Sequence, residues 1–467
     1  MTTTGRQQQV IEQKLDDFMK QVSELTQSHL WQQFKWILNP VQFLEQAGQK
    51  HPDIFAADLV GPWDRLIFVN HPEGIRQLFT QDFKQFKVFS KTNERLAPVL
   101  RENPIMISEG TTHRKQRKLL MPPFHGERMS FYGQVIWNLT KNVIEKISCD
   151  QNFSAHSMTQ AISLEVILRV VFGLDEGKRS QQLHQLITQM MEIFRSPMTS
   201  AMLFFPILRS DFGTWSPWGQ FLQVRNQVDQ LLYEEINERR QSVNSERTDI
   251  LSLLISVTDE EGQPLSYEEL RDQLITLMIA GHETTASALA WSLYWIYKLP
   301  DVKDQLLKEL NVFGKTLELE RISELTYLDA VCLEALRLYP VVINTFPRIT
   351  LEPVDFMGYE LKESEALVAC IYLLHQREDI YPQPKSFKPE RFLERRYSSY
   401  EYIPFGGGSR RCIGEALALY EMKLILANIL LSCELELVND QLEQPKRRGI
   451  TLAPKGGVPM IIRQKKY

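Results

Sequence analysis

The stretch PFGGGSRRCIG, residues 404–414, decides the fold of this chain. Its three consecutive glycines allow the backbone to approach another group closely. Cys412 follows them, and the next residues, GEALALYEMKLILANILL, favour a helix. The start of a helix stabilises a thiolate, and Arg410 and Arg411 add positive charge beside it. Most free cysteines are packing residues, so this local pattern alone leaves a reactive thiolate and a structural cysteine equally open.

The composition excludes several classes of protein. The chain has 467 residues, with 53 Lys and Arg against 58 Asp and Glu and a net charge of −5. This slightly acidic balance argues against nucleic-acid binding, which needs a basic excess. Five scattered cysteines without a Cys-x-x-Cys pair exclude a disulfide framework, a zinc ribbon and a thioredoxin-like site, and they favour a reducing compartment.

No segment predicts membrane insertion. Residues 1–30 contain no apolar core and no cleavage site of a signal peptide. The longest apolar stretch, Leu274–Tyr297, carries His282 and Glu283 near its middle. A charged residue at a bilayer centre costs about 2.5–3.5 kcal/mol, so we expect a buried helix in a large core.

The pattern of apolar and turn residues predicts a mainly helical chain with small β-sheets. Its length would allow about three domains, but no linker or repeat supports a division, so we expect a single domain over 1–467. A β-rich part is expected at about 50–95, with strands at Ile54–Leu59 and Arg65–Val69 and a turn at Gly61-Pro62. Short strands are also expected within Asp355–Ala369.

Four helices have clear signals. Two are long helical patterns at 156–172 and 216–241. A third begins at about Tyr267, after a capping box of Ser266 and Glu269, and is stopped by Pro300. For the fourth, Thr326 with Asp329 predicts an N-cap, and Pro340 predicts the end.

The complete loop pattern is much more specific than its cysteine alone. It fits F-x-x-G-x-R-x-C-x-G at all five fixed positions, which are Phe405, Gly408, Arg410, Cys412 and Gly414. This pattern resembles the haem-binding motif of cytochromes P450. The resemblance implies the P450 fold and haem b (iron protoporphyrin IX) with Cys412 as its axial thiolate, which favours O–O cleavage. It also implies that Phe405 shields the sulfur from water.

Glu334 and Arg337 form an E-x-x-R pattern on the helix that Pro340 ends. By itself this pair is typical of a solvated helix face. Its apolar neighbours indicate burial, however, and buried charges need partners. The P450 resemblance supplies one, because Arg391 stands in a later FKPERF segment. We therefore expect a structural network of Glu334, Arg337 and Arg391.

The central helix contains AGHETT, residues 280–285, where Gly and Thr are weak helix formers. A tolerated irregularity, with Glu283 bonded to its neighbours, is one interpretation. The stretch also resembles the P450 oxygen-binding motif. That resemblance implies that Ala280 and Gly281 let the helix approach haem and bound dioxygen. It further implies that Thr284 hydrogen-bonds the activated oxygen and that Glu283 relays protons from solvent.

HRKQRKLL, residues 113–120, favours a helix with a solvated charged face on pattern alone. It also resembles the P450 helix that reaches the haem propionates, which assigns that role to His113 and Arg117. Arg348 matches the other propionate-binding position of the family. With Arg410 these residues would give up to four donors for two carboxylates.

The resemblance also implies the reaction. A P450 monooxygenase inserts one atom of O₂ into an organic substrate, and electrons come here from a separate ferredoxin or flavodoxin with its reductase. Arg114, Lys115, Lys118 and Arg411 could form a basic patch that steers an acidic partner. Two alternatives are an enzyme that rearranges peroxides without external electrons and a non-catalytic haem sensor. The intact pair of Glu283 and Thr284 favours the monooxygenase.

The expected substrate is apolar, such as a fatty acid or a terpene, because the segments that line substrate in this family contain almost no acid or base here. These segments are Phe89–Met106, Phe194–Phe212, Met278–Ala280 and Val341–Phe346. The very apolar run 198–208 is either ordinary core or a hydrophobic entrance that touches a membrane. We expect a cytoplasmic protein, peripheral to a membrane at most.

Overall fold

Most of the chain can be described in the computed structural model. The described residues are 20–59, 65–88, 101, 104–126, 128–174, 177–193, 199, 202, 208–242, 247–259, 261–311 and 318–466. The predicted turn at Gly61-Pro62 and most of the segments 89–106 and 194–208 lie outside them.

Helices dominate, as the sequence predicts. They are α1 His29–Leu38, α2 Pro40–Lys50, α3 Pro72–Thr80, α4 Gly110–Leu120, α5 Arg128–Glu145, α6 Ala155–Val170, α7 Lys178–Ile193, α8 Pro217–Gln241, α9 Ile250–Ser256, α10 Tyr267–Lys298, α11 Pro300–Leu310, α12 Leu319–Ile322, α13 Thr326–Leu338, α14 Ile371–His375, α15 Arg391–Glu394 and α16 Glu415–Ser432. Within the described ranges, no helix is both long and apolar enough to cross a membrane.

The strands are short. They are β1 Ile54–Ala57, β2 Leu66–Val69, β3 Phe86–Val88, β4 Asn152–Ser154, β5 Arg348–Thr350, β6 Val354–Phe356, β7 Tyr359–Leu361, β8 Ala366–Ala369, β9 Cys433–Leu437, β10 Pro445–Arg448, β11 Thr451–Pro454 and β12 Pro459–Lys465. The strands expected at 54–69 and within 355–369 are therefore confirmed. The part expected to be β-rich also contains α3, which begins with Pro72 in its first turn, a favoured position for proline.

The first of two compact units is formed by the described residues of 1–89 together with 344–382 and 398–411. Its sheet has the order β1-β2-β8-β5-β3, in which β2 and β8 are parallel and the other pairs antiparallel. Stacked rings of Phe55 and Phe68, with centroids 4.9 Å apart, belong to its core. Arg348 lies on β5, opposite Val88 of β3 and Leu367 of β8.

The second unit is formed by the described residues of 90–343 together with 383–397 and 412–467. The long helix α10 runs through it and packs against α6, α13 and α16. The predicted capping box is confirmed, because the Ser266 hydroxyl accepts from Glu269 N and the Glu269 carboxylate accepts from Ser266 N. The helix ends at Lys298, and Pro300 opens α11.

The cap predicted for α13 is wrong. Its N-cap residue is Leu325, and Thr326 is already helical. The carboxylate of Glu309, at the end of α11, accepts the backbone N–H groups of Tyr327 and Leu328 at 2.8 and 2.9 Å. A negative side chain from the preceding helix thus satisfies the free donors at this helix start.

Candidate active site

The cysteine loop, residues 404–414, needs glycine for its backbone. Gly406 and Gly408 have φ angles of 69° and 62°, a region that costs other residues energy. Gly408–Arg410 form a 3₁₀ turn, and helix α16 begins at Glu415. Cys412 is exposed and lies three residues before that helix, where the positive helix end favours its thiolate.

Close packing against the end of α3 fixes the glycine part of this loop. A Cβ atom on Gly407 would collide with the Phe79 ring, and one on Gly408 would lie 2.8 Å from Asp82 Oδ2. At the start of the loop, Ile403 N donates to His375 Nε2 at 3.0 Å. Because Gly407 and Gly408 carry no side chain, the loop packs closely here, and these contacts fix its backbone conformation.

Asp82 is a site residue that the sequence did not indicate. Its Oδ2 accepts from both the backbone N and the hydroxyl of Ser409, at 3.1 and 2.8 Å. Its Oδ1 accepts from Arg348 Nε at 2.7 Å. Arg348, predicted to bind a propionate, is only 1 % exposed, and its positive charge is balanced by Asp82. A single aspartate thus connects the predicted propionate ligand to the cysteine loop.

The predicted propionate donors on α4 share one side of that helix. His113 is buried and Arg117 is half-buried, whereas Arg114, Lys115 and Lys118 are exposed. The helix thus has a solvated charged face, as its pattern indicates, while the side that carries His113 and Arg117 packs inward. Lys115 pairs with Asp259 at 2.5 Å, so the proposed basic patch is partly neutralised within the protein.

On α10, Thr284 donates its hydroxyl hydrogen to the carbonyl of Ala280 at 2.6 Å. Gly281 is packed against α6, because a Cβ atom there would lie 2.7 Å from Ile167 Cδ1. Within the chain, this glycine therefore permits close approach of two helices. Its role toward haem stays a prediction, as does that of Ala280.

Glu283 is held by two residues of α6. Gln160 Nε2 donates to Glu283 Oε2 at 2.6 Å, and His156 Nε2 lies 3.4 Å from Oε1. Burial raises the pKa of Glu283, but His156 and Gln160 outweigh it and hold the pKa below its ordinary value. Neither partner was indicated by the sequence, since each lies more than a hundred residues away and has no motif of its own.

The structure brings Glu334, Arg337 and Arg391 together in one buried cluster. Arg337 Nε donates to Glu334 Oε2 at 2.7 Å, and Arg391 Nε donates to Oε1 at 3.1 Å. Arg337 also donates to the Pro384 carbonyl at 2.9 Å. These contacts tie α13 to the segment before α15, as expected of a structural network.

Comparison with known proteins identifies the family. The cytochrome P450 family model matches residues 12–459. The chain belongs to the cytochrome P450 family. The candidate cytochrome P450 135B1 of Mycobacterium bovis is 30% identical over 424 residues, which cover 91% of this chain and 87% of that protein. The candidate cytochrome P450 135A1 of Mycobacterium tuberculosis is 31% identical over 422 residues, 90% of each chain.

Solved P450 structures share the fold. The retinoic acid-bound cyanobacterial CYP120A1 has a TM-score of 0.79 at 24% identity and covers 92% of this chain and 96% of its own. The haem domain of cytochrome P450DA has a TM-score of 0.82 at 23% identity, and the match covers 96% of this chain and 99% of that domain. The mainly helical P450 fold with small sheets is therefore confirmed. This P450 is a monooxygenase, and its cofactor is haem held by a cysteine thiolate.

The donor chemistry of the chain fits that cofactor at Cys412. Burial raises the pKa values of the Cys332, Cys370 and Cys433 thiols, which makes them poor thiolate donors. Cys149 is exposed as well, but it precedes a strand rather than a long helix. Cys412 alone among the five combines exposure with the start of a long helix.

Proposed function

We propose that this P450 inserts one atom of O₂ into an apolar organic substrate such as a fatty acid or a terpene. Separate redox proteins, a ferredoxin or flavodoxin with its reductase, would supply the electrons. The observation that carries the proposal is the combination of Cys412 at the start of α16 with Thr284 and a tethered Glu283 on α10. A peroxide-rearranging enzyme or a sensor would not need the pair of Thr284 and Glu283.

Haem would supply the oxygen chemistry, and residues of the chain would hold it in place. A haem iron with a thiolate ligand supplies the electron density that favours O–O cleavage. Cys412 would bind the iron, with Phe405 shielding the sulfur and Gly414 leaving space beside it. His113, Arg117, Arg348 and Arg410 would hold the propionates. Arg348 would do so through the second hydrogens of Nη1 and Nη2, because its Nε and Nη2 donate to Asp82 and its Nη1 donates to the Phe346 carbonyl.

Thr284 and Glu283 would handle protons on the face of α10 where Ala280 is exposed. The Thr284 hydroxyl now donates to a carbonyl of its own helix, and rotation about χ1 would turn it toward a new acceptor. Glu283, held as a carboxylate, can accept a proton from solvent and pass it on as a general acid. The apolar segments expected to line substrate, 89–106 and 194–212, fall mostly outside the described residues.

The carbon monoxide complex of the reduced protein tests the iron ligand. We expect the strongly red-shifted Soret band of thiolate ligation in the wild type. The variant Cys412→Ala should lose it, and Cys149→Ala, which removes the other exposed cysteine, should keep it. A histidine-type band in the wild type, or a thiolate band in Cys412→Ala, would contradict the proposal.

Product coupling tests the reaction. Thr284→Ala should bind haem and substrate normally, yet release most of the electrons as hydrogen peroxide instead of product. If this variant still converted all consumed electrons into product, the proposed role of Thr284 in the monooxygenase reaction would be contradicted. Spin-state shifts across a panel of lipids and terpenes would identify the substrate. Rates of reduction by a ferredoxin and by a flavodoxin would identify the class of redox partner. Cell fractionation would test the expected cytoplasmic location.

A further inference from the structure

Helices α6 and α10 share a row of polar contacts that the motifs do not explain. Thr159 donates to the Ala286 carbonyl at 2.8 Å, and His282 Nε2 lies 3.1 Å from the Gln160 carbonyl. In the same row, His156 is only 1 % exposed and faces Glu283. A buried histidine beside the acidic residue of the oxygen-binding motif is a candidate for a functional contact.

One ring nitrogen of His156 lies near two polar partners. Its Nε2 lies 3.2 Å from Ser287 Oγ and 3.4 Å from Glu283 Oε1. A neutral imidazole with its hydrogen on Nε2 can donate to only one of them at a time, and with its hydrogen on Nδ1 it accepts from the Ser287 hydroxyl instead. A protonated imidazolium adds a full positive charge, and that charge favours the carboxylate. Whether His156 binds mainly the hydroxyl or the carboxylate therefore depends on protonation of the ring.

We propose that His156 is a positioning residue that sets the charge and orientation of Glu283 and makes proton delivery depend on pH. This inference rests on the proposed relay role of Glu283. When His156 is protonated, the ion pair holds Glu283 as a carboxylate against α6. When His156 is neutral, only the Gln160 amide holds the carboxylate firmly, and Glu283 can turn toward Thr284 and transfer a proton.

The other ionisable groups around the pair do not replace His156. On α10 itself, burial lowers the pKa of His282, which favours its neutral form. On α7, His184 lies 3.7 Å from Glu165 of α6 and so has a carboxylate of its own. On α16, Glu421 hydrogen-bonds to Ser163 of α6, and burial raises its pKa to about 8, which keeps it neutral. Among the described residues, His156 is thus the ionisable base that lies within 4 Å of the Glu283 carboxylate.

A histidine titration tests the coupling without turnover. The chain contains nine histidines, so ¹³Cε1-labelled histidine in the ferrous carbon monoxide complex gives a tractable spectrum. The resonance missing in His156→Gln assigns His156. Glu283→Gln removes the facing anion, so the His156 resonance should respond to pH differently in this variant than in the wild type. The His184 midpoint should stay unchanged as an internal control. An unchanged His156 midpoint would overturn the proposal.

The pH profile of coupling tests the consequence. In the wild type, the fraction of electrons lost as hydrogen peroxide should rise several-fold as the pH falls through the His156 midpoint. His156→Gln keeps a hydrogen-bonding side chain without a charge and should flatten this profile. Ser287→Ala removes the competing hydroxyl but not the charge, so the profile should remain. If Ser287→Ala flattened the pH profile as much as His156→Gln does, the charge of His156 would not be the cause, and the proposal would be overturned.

These two measurements separate the two levels of inference. If Glu283→Gln leaves coupling unchanged, the relay role fails, whatever the titration of His156 shows. If Glu283→Gln lowers coupling but His156→Gln leaves the pH profile intact, the relay stands and the positioning role of His156 fails.

Discussion

Two glutamates of the second unit are held in different ways. Glu334 on α13 accepts from Arg337 at 2.7 Å, from Arg391 at 3.1 Å and from Lys388 N at 2.8 Å. Glu283 on α10 has one amide and one histidine instead. Arginine stays charged at every accessible pH, whereas histidine changes its charge near neutrality.

The difference separates structure from function. A carboxylate fixed by two permanent cations cannot give up its partners, so it suits a joint between segments. A carboxylate held by a titratable ring can be released and can exchange protons. We therefore expect loss of Glu334 to affect folding above all, and loss of Glu283 to affect catalysis with little change in stability.

The largest effect is expected for Glu334→Gln. This change leaves two buried guanidinium groups without their anion, and breaking a buried ion pair costs about 3–5 kcal/mol. Urea unfolding and the yield of haem-loaded protein would measure the loss. Glu73→Gln is a matched control, because Glu73 and Arg76 form an exposed pair with the same spacing on α3. Equal stability of the two variants would contradict a structural role for the Glu334 network.

A third glutamate sharpens the comparison, because Glu421 forms no ion pair within the described part of the chain. Burial raises its pKa to about 8, so it stays protonated in the native protein near neutral pH. In the unfolded chain, the Glu421 carboxyl ionises above about pH 4.5, its ordinary pKa. Because the unfolded state then binds fewer protons, this group lowers stability as the pH rises from about 4.5 to about 8.

Glu421→Gln should remove that slope. The variant should gain stability relative to the wild type as the pH rises, on the order of 3 kcal/mol between pH 5 and pH 8. Urea unfolding at both pH values measures it. A difference between the two proteins that does not change with pH would contradict a protonated native Glu421.

The sequence predicted those parts of the site whose partners share a motif. Arg391 lies 57 residues from Glu334 and was predicted only through the P450 resemblance. The cysteine loop and the pair of Glu334 and Arg337 have fixed local patterns, and the capping box of α10 lies within four residues. A local pattern works here because the chain itself keeps these residues close together.

Contacts made by packing were not predictable in the same way. Asp82 meets Arg348 across 266 residues, and His156 meets Ser287 across 131. No repeat or motif marks either residue, and only the pairing of strands and helices brings them together. The cap of α13 failed for the same reason, because Glu309 of another helix replaced the local candidate Thr326. The parallel pairing of β2 with β8 is equally remote in sequence.

The smallest effect on stability is expected for Glu283→Gln. The native pKa of Glu283 lies below its ordinary value of 4.5, so its contribution is present above that pH and is lost as the pH falls through the native value. This slope is opposite in sign to that of Glu421. Because Glu283 is partly exposed and its ion-pair partner is a histidine rather than an arginine, the cost at pH 7 should stay below about 1 kcal/mol. Urea unfolding between pH 7 and pH 3 should show the difference from wild type shrinking toward zero. A cost comparable to that of Glu334→Gln would make Glu283 a structural residue and remove the contrast between the two sites.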